Sequence, residues 1–248
     1  MNVILRRYRC IVIAKILVAS LALNVCFAQQ SKTDTAFVAE SEKKVSALYT
    51  AAIQHQSRLY NGSDYIIYIP RNEEHPYFEV DDWAYGSVEY WNELYENIPL
   101  MYDINTDQII TEHNRGNPIK LLPEKVQSFT ILDHEFVRLS PDNKNNITPG
   151  FYDRLYDGET KVYARHLKIY RETLNAKEVI PKYDANTRYY VFKDGVYNLV
   201  KSKSSVLKVL ADKKPELKSF IRKNSVHFKS NRSESIVRIA THYDSLKD

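Results

Sequence analysis

Three clusters of polar residues in this chain have the types and spacing to do chemistry. Asp103-Ile104-Asn105-Thr106-Asp107 places oxygen donors at the first three ligand positions of an EF-hand loop. Such a loop needs glycine at its sixth position for the sharp turn and a bidentate glutamate at its twelfth. Gln108 and Asn114 stand there instead, so the run reads as an Asx-rich turn. Glu73, Glu74, His75, Asp81 and Asp82 gather carboxylates around an imidazole, a set able to bind metal or move protons. They also lie in a Pro-containing loop between strands, where charged residues are expected without any function. Asp133-His134-Glu135 has the composition of a His–carboxylate dyad. Adjacent residues on a strand point to opposite faces, so it reads as a surface turn.

The search for a nucleophile is empty. There is no G-x-S-x-G elbow, and no H-E-x-x-H, P-loop or G-x-G-x-x-G motif. The seven histidines are scattered without close metal-ligand spacing. The sequence therefore assigns no catalytic residue, no metal and no cofactor. A glycosidase needs only two facing carboxylates, which leaves a hydrolase of glycans or peptides, using the 73–82 loop, as the alternative reading.

Aromatic density is the stronger clue. Tyr77, Phe78, Trp83, Tyr85, Tyr90, Trp91 and Tyr95 fall within nineteen residues. Buried, they are core; exposed, Trp83, Tyr85, Trp91 and Tyr95 would stack on sugars or anchor a protein contact. Lys213, Lys214 and Lys218 are the matching cationic candidates on a Lys-rich helix, against the reading that they are a solvated face. They belong to a wider asymmetry. Residues 61–112 carry twelve acidic side chains and one basic, Arg71, whereas residues 193–230 carry ten basic and three acidic. The two segments either lie near each other or leave a basic face for an acidic glycan, lipid head group or partner.

The elements that would position these residues follow from periodicity. Val45, Leu48, Tyr49, Ala52 and Ile53 recur at helical spacing and predict a helix over 39–57. From Tyr65 to Leu199 the pattern becomes short β-branched and aromatic runs bounded by turns. Strands are predicted at 65–69, 87–90, 98–104, 108–111, 126–131, 135–139, 150–156, 161–170, 188–192 and 196–200. Asp157-Gly158 and Asp194-Gly195 separate adjacent runs and mark hairpins. No helices interrupt these strands, so an antiparallel meander is expected rather than a parallel β-α-β sheet. The tail is helical, with Asp212 expected to cap a helix that carries Pro215 in its first turn and Asn231 with Glu234 at capping-box spacing. The predicted architecture is α+β. A twisted antiparallel sheet, curled toward a roll or partial barrel, lies between an N-terminal helix and a three-helix C-terminal tail.

Arg6, Arg7 and Arg9, an apolar stretch from Cys10 to Leu23 and the small residues Cys26 and Ala28 make residues 1–28 a secretory signal. Lipidation at Cys26 is disfavoured by the branched Val25 before it. Residues 29–38 then read as a tether and 39–248 as one α+β domain, β-rich over 65–200 and helical over 203–246. Removing 1–28 removes four basic residues and both cysteines, so 31 basic and 31 acidic residues remain. The mature chain is formally neutral, which argues against nucleic acid as a partner. It has no thiol and no transmembrane span, and its core alone must stabilise it. The small total of 6 Gly and 9 Pro excludes collagen-like and low-complexity classes.

A set of short motifs runs through the chain: Leu59-Tyr60-Asn61-Gly62, His75-Pro76-Tyr77-Phe78 with Trp83, Gly86-Ser87-Val88-Glu89-Tyr90, and Ile98-Pro99-Leu100-Met101-Tyr102-Asp103-Ile104. Later come Gly150-Phe151-Tyr152, Leu155-Tyr156-Asp157-Gly158, Tyr189-Tyr190-Val191, Lys193-Asp194-Gly195 and Lys213-Lys214-Pro215-Glu216-Leu217 through Ile221. Together they resemble an uncharacterised family of secreted envelope proteins of Bacteroidota. The resemblance implies export to the periplasm or cell exterior and brings no catalytic residues with it. The expectation is an exported, non-enzymatic binding or assembly module with an envelope protein or glycan as partner.

Overall fold

The computed structural model describes residues 58–68, 74–113, 116–140, 147–175 and 178–247, together with Val38, Glu40, Ser41, Lys44 and Val45. The chain divides into two units, Met1–Ser57 and Arg58–Asp248. In the first, those five residues are helical, and Lys44 pairs with Glu40 one turn away. The signal segment, the tether and most of the helix expected over 39–57 lie outside the described residues.

The second unit is built on one eleven-stranded antiparallel sheet that does not close. Its strands are β1 (Ser63–Asp64), β2 (Ala84–Tyr90), β3 (Glu93–Asp103), β4 (Gln108–Glu112), β5 (Pro118–Lys120), β6 (Val126–Ile131), β7 (His134–Leu139), β8 (Gly150–Asp157), β9 (Lys161–Asn175), β10 (Glu178–Lys193) and β11 (Val196–Val200). The order across the sheet is β1-β5-β4-β3-β2-β6-β7-β8-β9-β10-β11. It is two meanders, β2–β5 and β6–β11, joined where β6 pairs with β2 instead of with β5. Short strands β1 and β5 were not expected. The predicted 65–69 strand makes no ladder over 65–68, and the pairing sits just before it, Ser63 opposite Lys120.

One of the two predicted Asp-Gly turns has the expected hairpin chemistry. Asp194 and Gly195 have φ of 52° and 78° and join β10 to β11, as a two-residue primed turn requires. Two further turns, Trp91-Asn92 at 56° and 61° and Leu132-Asp133 at 50° and 63°, place a residue that rarely accepts positive φ, Trp91 or Leu132, before one that does so more readily. A bulky side chain in this region is strained, and the tight β2–β3 and β6–β7 pairings hold it there.

The sheet is strongly curled. Tyr102 on β3 and Phe136 on β7 are three strand spacings apart, about 14 Å in a flat sheet, yet their rings lie 5.0 Å apart. Just beyond β3, the Ile104 carbonyl accepts a backbone bond from Lys168 N on β9 at 3.3 Å. The interior so formed is filled by Val88, Tyr90, Leu100, Tyr102, Ile109, Phe129, Phe136 and Phe151, with Phe78 from the preceding loop. Full burial of an aliphatic or phenyl side chain contributes about 1.5–3 kcal/mol each.

Three helices follow: α1 (Lys203–Val209), α2 (Lys214–Lys223) and α3 (Arg232–Asp244). Leu207, Leu217, Ile221, Ile236, Ile239 and Tyr243 pack with Val162, Val191 and Val200 of β9–β11. Asn231 caps α3, its side chain accepting from Glu234 N and donating to the Glu234 carboxylate. Asp212 does not cap α2. A 3-10 turn at Ala211–Lys213 carries it off the helix end, and its oxygens accept instead from Lys193 Nζ at 2.6 Å and Tyr243 Oη at 2.7 Å. Among the described residues no helix is long and apolar enough to cross a membrane.

Candidate metal centre

Register alone assembles the site. Phe136 on β7 lies opposite Asp153 on β8, which lies opposite Ala164 on β9. Residues two apart on a strand share a face. His134, two before Phe136, and His166, two after Ala164, therefore project into the same interior as Asp153. Asp153 Oδ2 lies 2.7 Å from His134 Nδ1 and 3.1 Å from His166 Nε2. The Asp153 side chain is 2% exposed, against 31% for His134 and 19% for His166. A carboxylate this deep needs compensation for its charge, and two imidazoles, from the strands on either side of β8, meet its Oδ2.

The other nitrogen of each imidazole has a polar neighbour. His166 Nδ1 lies 3.3 Å from Thr187 Oγ1, on the residue directly opposite it on β10. His134 Nε2 faces the Glu79 carboxylate at 3.7 Å. Phe78 closes the interior side, its ring centroid 5.0 Å from that of His134 and 4.9 Å from that of His166. The three donor atoms lie within 4.8 Å of one another, and among the described residues this is the one such group of His, Cys, Asp or Glu. Tetrahedral zinc at about 2.0–2.1 Å from its ligands spaces donors about 3.4 Å apart. To seat an ion, His134 Nδ1 and Asp153 Oδ2 would have to move apart from 2.7 Å to that spacing, about 0.7 Å.

Sequence reasoning missed this group because its members are 19 and 13 residues apart on three strands. The His134–Glu135 dyad is absent because neighbours on a strand face opposite ways, but the run is not the surface turn expected: His134 and Glu135 open β7, His134 facing inward and Glu135 pairing with Arg154. A different carboxylate, Asp153, fills the role. One signal was available, since all three polar residues sit at inward parity beside Phe136, Phe151 and Ala164.

The other clusters are structural. Asp103 Oδ1 accepts from the amides of Asn105 and Thr106, and Oδ2 from the hydroxyls of Thr106 and Tyr65. Asp107 accepts from buried Tyr102 Oη at 2.6 Å and faces Arg165. Burial and the adjacent Asp107 push the Tyr102 phenol well above its usual range. In the acidic loop, Glu74 accepts from Tyr183 N and Asp82 from Trp83 N. Lys168 donates to the Tyr77 carbonyl, and burial lowers its ammonium pKa while Glu74 and Asp81 oppose the shift. Glu79 is the loop residue that reaches the His–Asp–His group. Among the described residues no ion pair joins the acidic 61–112 segment to the basic 193–230 segment. The cations beside the acidic segment come from β9, Arg165 and Lys168.

The aromatic candidates are dispersed. Tyr95 is buried in the core and its hydroxyl donates to Glu93. Trp83 packs near Tyr77, Met101 and Ile110. Tyr85 is exposed, and Trp91 lies six residues on in the β2–β3 turn, where Lys125 Nζ sits 4.2 Å from its ring centre. Lys214 and Lys218 are exposed on α2, with Lys213 half-buried at its start. These residues form no single patch with the His–Asp–His group.

No protein-family model, no curated protein and no solved structure matches this chain.

Proposed function

We propose that this chain is an exported binding protein whose ligand is a divalent transition-metal ion, held by His134, Asp153 and His166. The observation that carries the reading is the convergence of two imidazoles on one buried carboxylate oxygen, each imidazole having a polar neighbour at its other nitrogen. That outer arrangement fixes ring orientation and raises ligand basicity in metal sites. Two nitrogens and one carboxylate suit zinc, iron(II) or manganese(II) better than calcium, which takes six to eight oxygens. Without an ion, the imidazoles share the negative charge of Asp153. With one, the nitrogens facing Asp153 become donors, while the outer N–H groups point to Thr187 Oγ1 and Glu79. Three protein ligands leave a further position open to water or a ligand.

Support for export comes from the arginines and apolar stretch of residues 1–28. The contact reading of the aromatic residues narrows to Tyr85 and Trp91, which are exposed. The test is titration of the chelator-stripped chain, residues 29–248, with zinc(II), iron(II) and manganese(II) by calorimetry and elemental analysis. The expected result is one ion per chain, lost in the His134→Ala/His166→Ala double variant. Stoichiometric binding that persists in that variant, or none in the parent, overturns the proposal.

A further inference from the structure

Beyond the metal ligands, β10 leads into a second feature. A cavity of about 610 Å³ is lined by Asn186, Thr187, Arg188, Leu199, Val200, Lys201 and Arg232. Its charged lining is entirely cationic. Among the described residues none of Arg188, Lys201 and Arg232 has an ion-pair partner, although the chain has carboxylates in abundance. Other cations on the same elements are matched: Lys182 and Lys193 of β10 face Asp184 and Asp212, and Arg238 of α3 faces Glu234. Three unmatched cations around one concavity raise the local concentration of anions and leave charged donors waiting for acceptors.

Thr187 belongs to both places. It lines the cavity, and its Oγ1 is the atom beside His166 Nδ1 at 3.3 Å. The cavity therefore reaches the residue that borders His166, while Arg188, next to Thr187 on β10, projects from the opposite face of the strand. Two guanidiniums and an ammonium exceed what one carboxylate can use, whereas a phosphoryl group offers three acceptor oxygens and about −1.5 to −2 charge.

We infer that the cavity bounded by Arg188, Lys201 and Arg232 binds the phosphoryl group of a small phosphate-bearing molecule. The anion site stands on its own three cations. Its role as the arm that presents such a molecule to the ion rests on the metal-binding reading.

The test uses inorganic phosphate as probe, with acetate as the singly charged control, titrated into the chelator-stripped chain by calorimetry. Phosphate is expected to bind with a Kd on the order of 1 mM or tighter, and acetate at least about tenfold more weakly. Arg188→Gln/Arg232→Gln weakens phosphate about tenfold or more, the loss of roughly one charge-assisted bond. His134→Ala/His166→Ala abolishes metal binding and leaves phosphate binding to stripped protein unchanged, so failure of either reading shows separately. Equal affinity for acetate and phosphate, or phosphate binding indifferent to the arginine substitutions, overturns the inference. Circular dichroism of the glutamine variant, expected to match the parent, establishes that it is folded.

Discussion

Asp153→Asn separates the metal reading from simple core packing because it keeps the volume and removes the charge. In the metal-free chain two effects oppose each other. The substitution relieves the burial of a carboxylate that is 2% exposed, and it weakens its contacts at 2.7 and 3.1 Å to the imidazoles. Metal-free stability should therefore change little. The increment that metal adds should change greatly. An ion that binds only the folded chain, supplied at 100 times its Kd, stabilises by about 2.7 kcal/mol. For a unit of this size that raises Tm by about 5–11 °C. Loss of an outer-sphere partner costs about 10–100-fold in metal affinity, so loss of a direct carboxylate ligand costs at least about 100-fold. At the same metal concentration the variant then gains about 0.4 kcal/mol, roughly 1–2 °C. The assay is differential scanning fluorimetry of both proteins, each with chelator and with zinc(II). An Asp153→Asn protein that gains as much as the parent would show that the ion sits elsewhere and would refute the reasoning.

Three further outcomes test the frame around the site. Asp244 accepts from Thr160 N at 3.0 Å and Tyr156 Oη at 3.0 Å, so Asp244→Ala strands a buried amide. It should cost about 1–3 kcal/mol in urea unfolding with the m-value unchanged. Burial would raise the Asp212 carboxyl, but its bonds from Lys193 and Tyr243 prevail and hold it at about 2. Its folded pKa is thus below its unfolded value. The stabilisation is present above about pH 4 and is lost as pH falls toward 2, and it is modest because Asp212 is half-exposed. Asp212→Asn should flatten the pH dependence of stability within that window. At Gly86, an added methyl would collide with the Thr130 carbonyl of β6 and press on Leu100. Gly86→Ala should therefore destabilise by about 1–3 kcal/mol or more, which equilibrium denaturation would measure.

Much of the sheet was readable because strands such as 126–131 and 150–156 carry their own β-branched and aromatic signature, and Asp194-Gly195 announces its turn. Other parts left no such trace. Trp91-Asn92 and Leu132-Asp133 make tight turns without glycine, held by the pairing on either side, so local chemistry could not reveal them. The Glu178–Thr187 half of β10 mixes polar and apolar residues and carries Pro181, and its conformation is imposed by pairing with β9. Ser63–Asp64 and Pro118–Lys120 are too short to show alternation. The site was hidden for a related reason. His134, Asp153 and His166 acquire meaning only when the Phe136–Asp153–Ala164 register is known, and register is a property of three strands together. The Asp103–Asp107 run, the more conspicuous motif, spends its oxygens on its own backbone and on tyrosine hydroxyls.

The crossing of β6 onto β2 has a consequence for how the chain comes together in time. A chain delivered from its N-terminus first releases β2 to β5 with one flank of β2 still open and with Val88, Tyr90 and Leu100 awaiting Phe129 and Phe136. That half has no finished interior of its own, and the half that follows, although its helices cover Val162, Val191 and Val200, leaves Phe129, Phe136 and Phe151 uncovered. A cut in the connection before Val126 would yield two pieces, each incomplete alone and each complementary to the other. Mixed after denaturation, they should find one another and restore the parent fold, whereas a cut inside either meander should not be so easily mended.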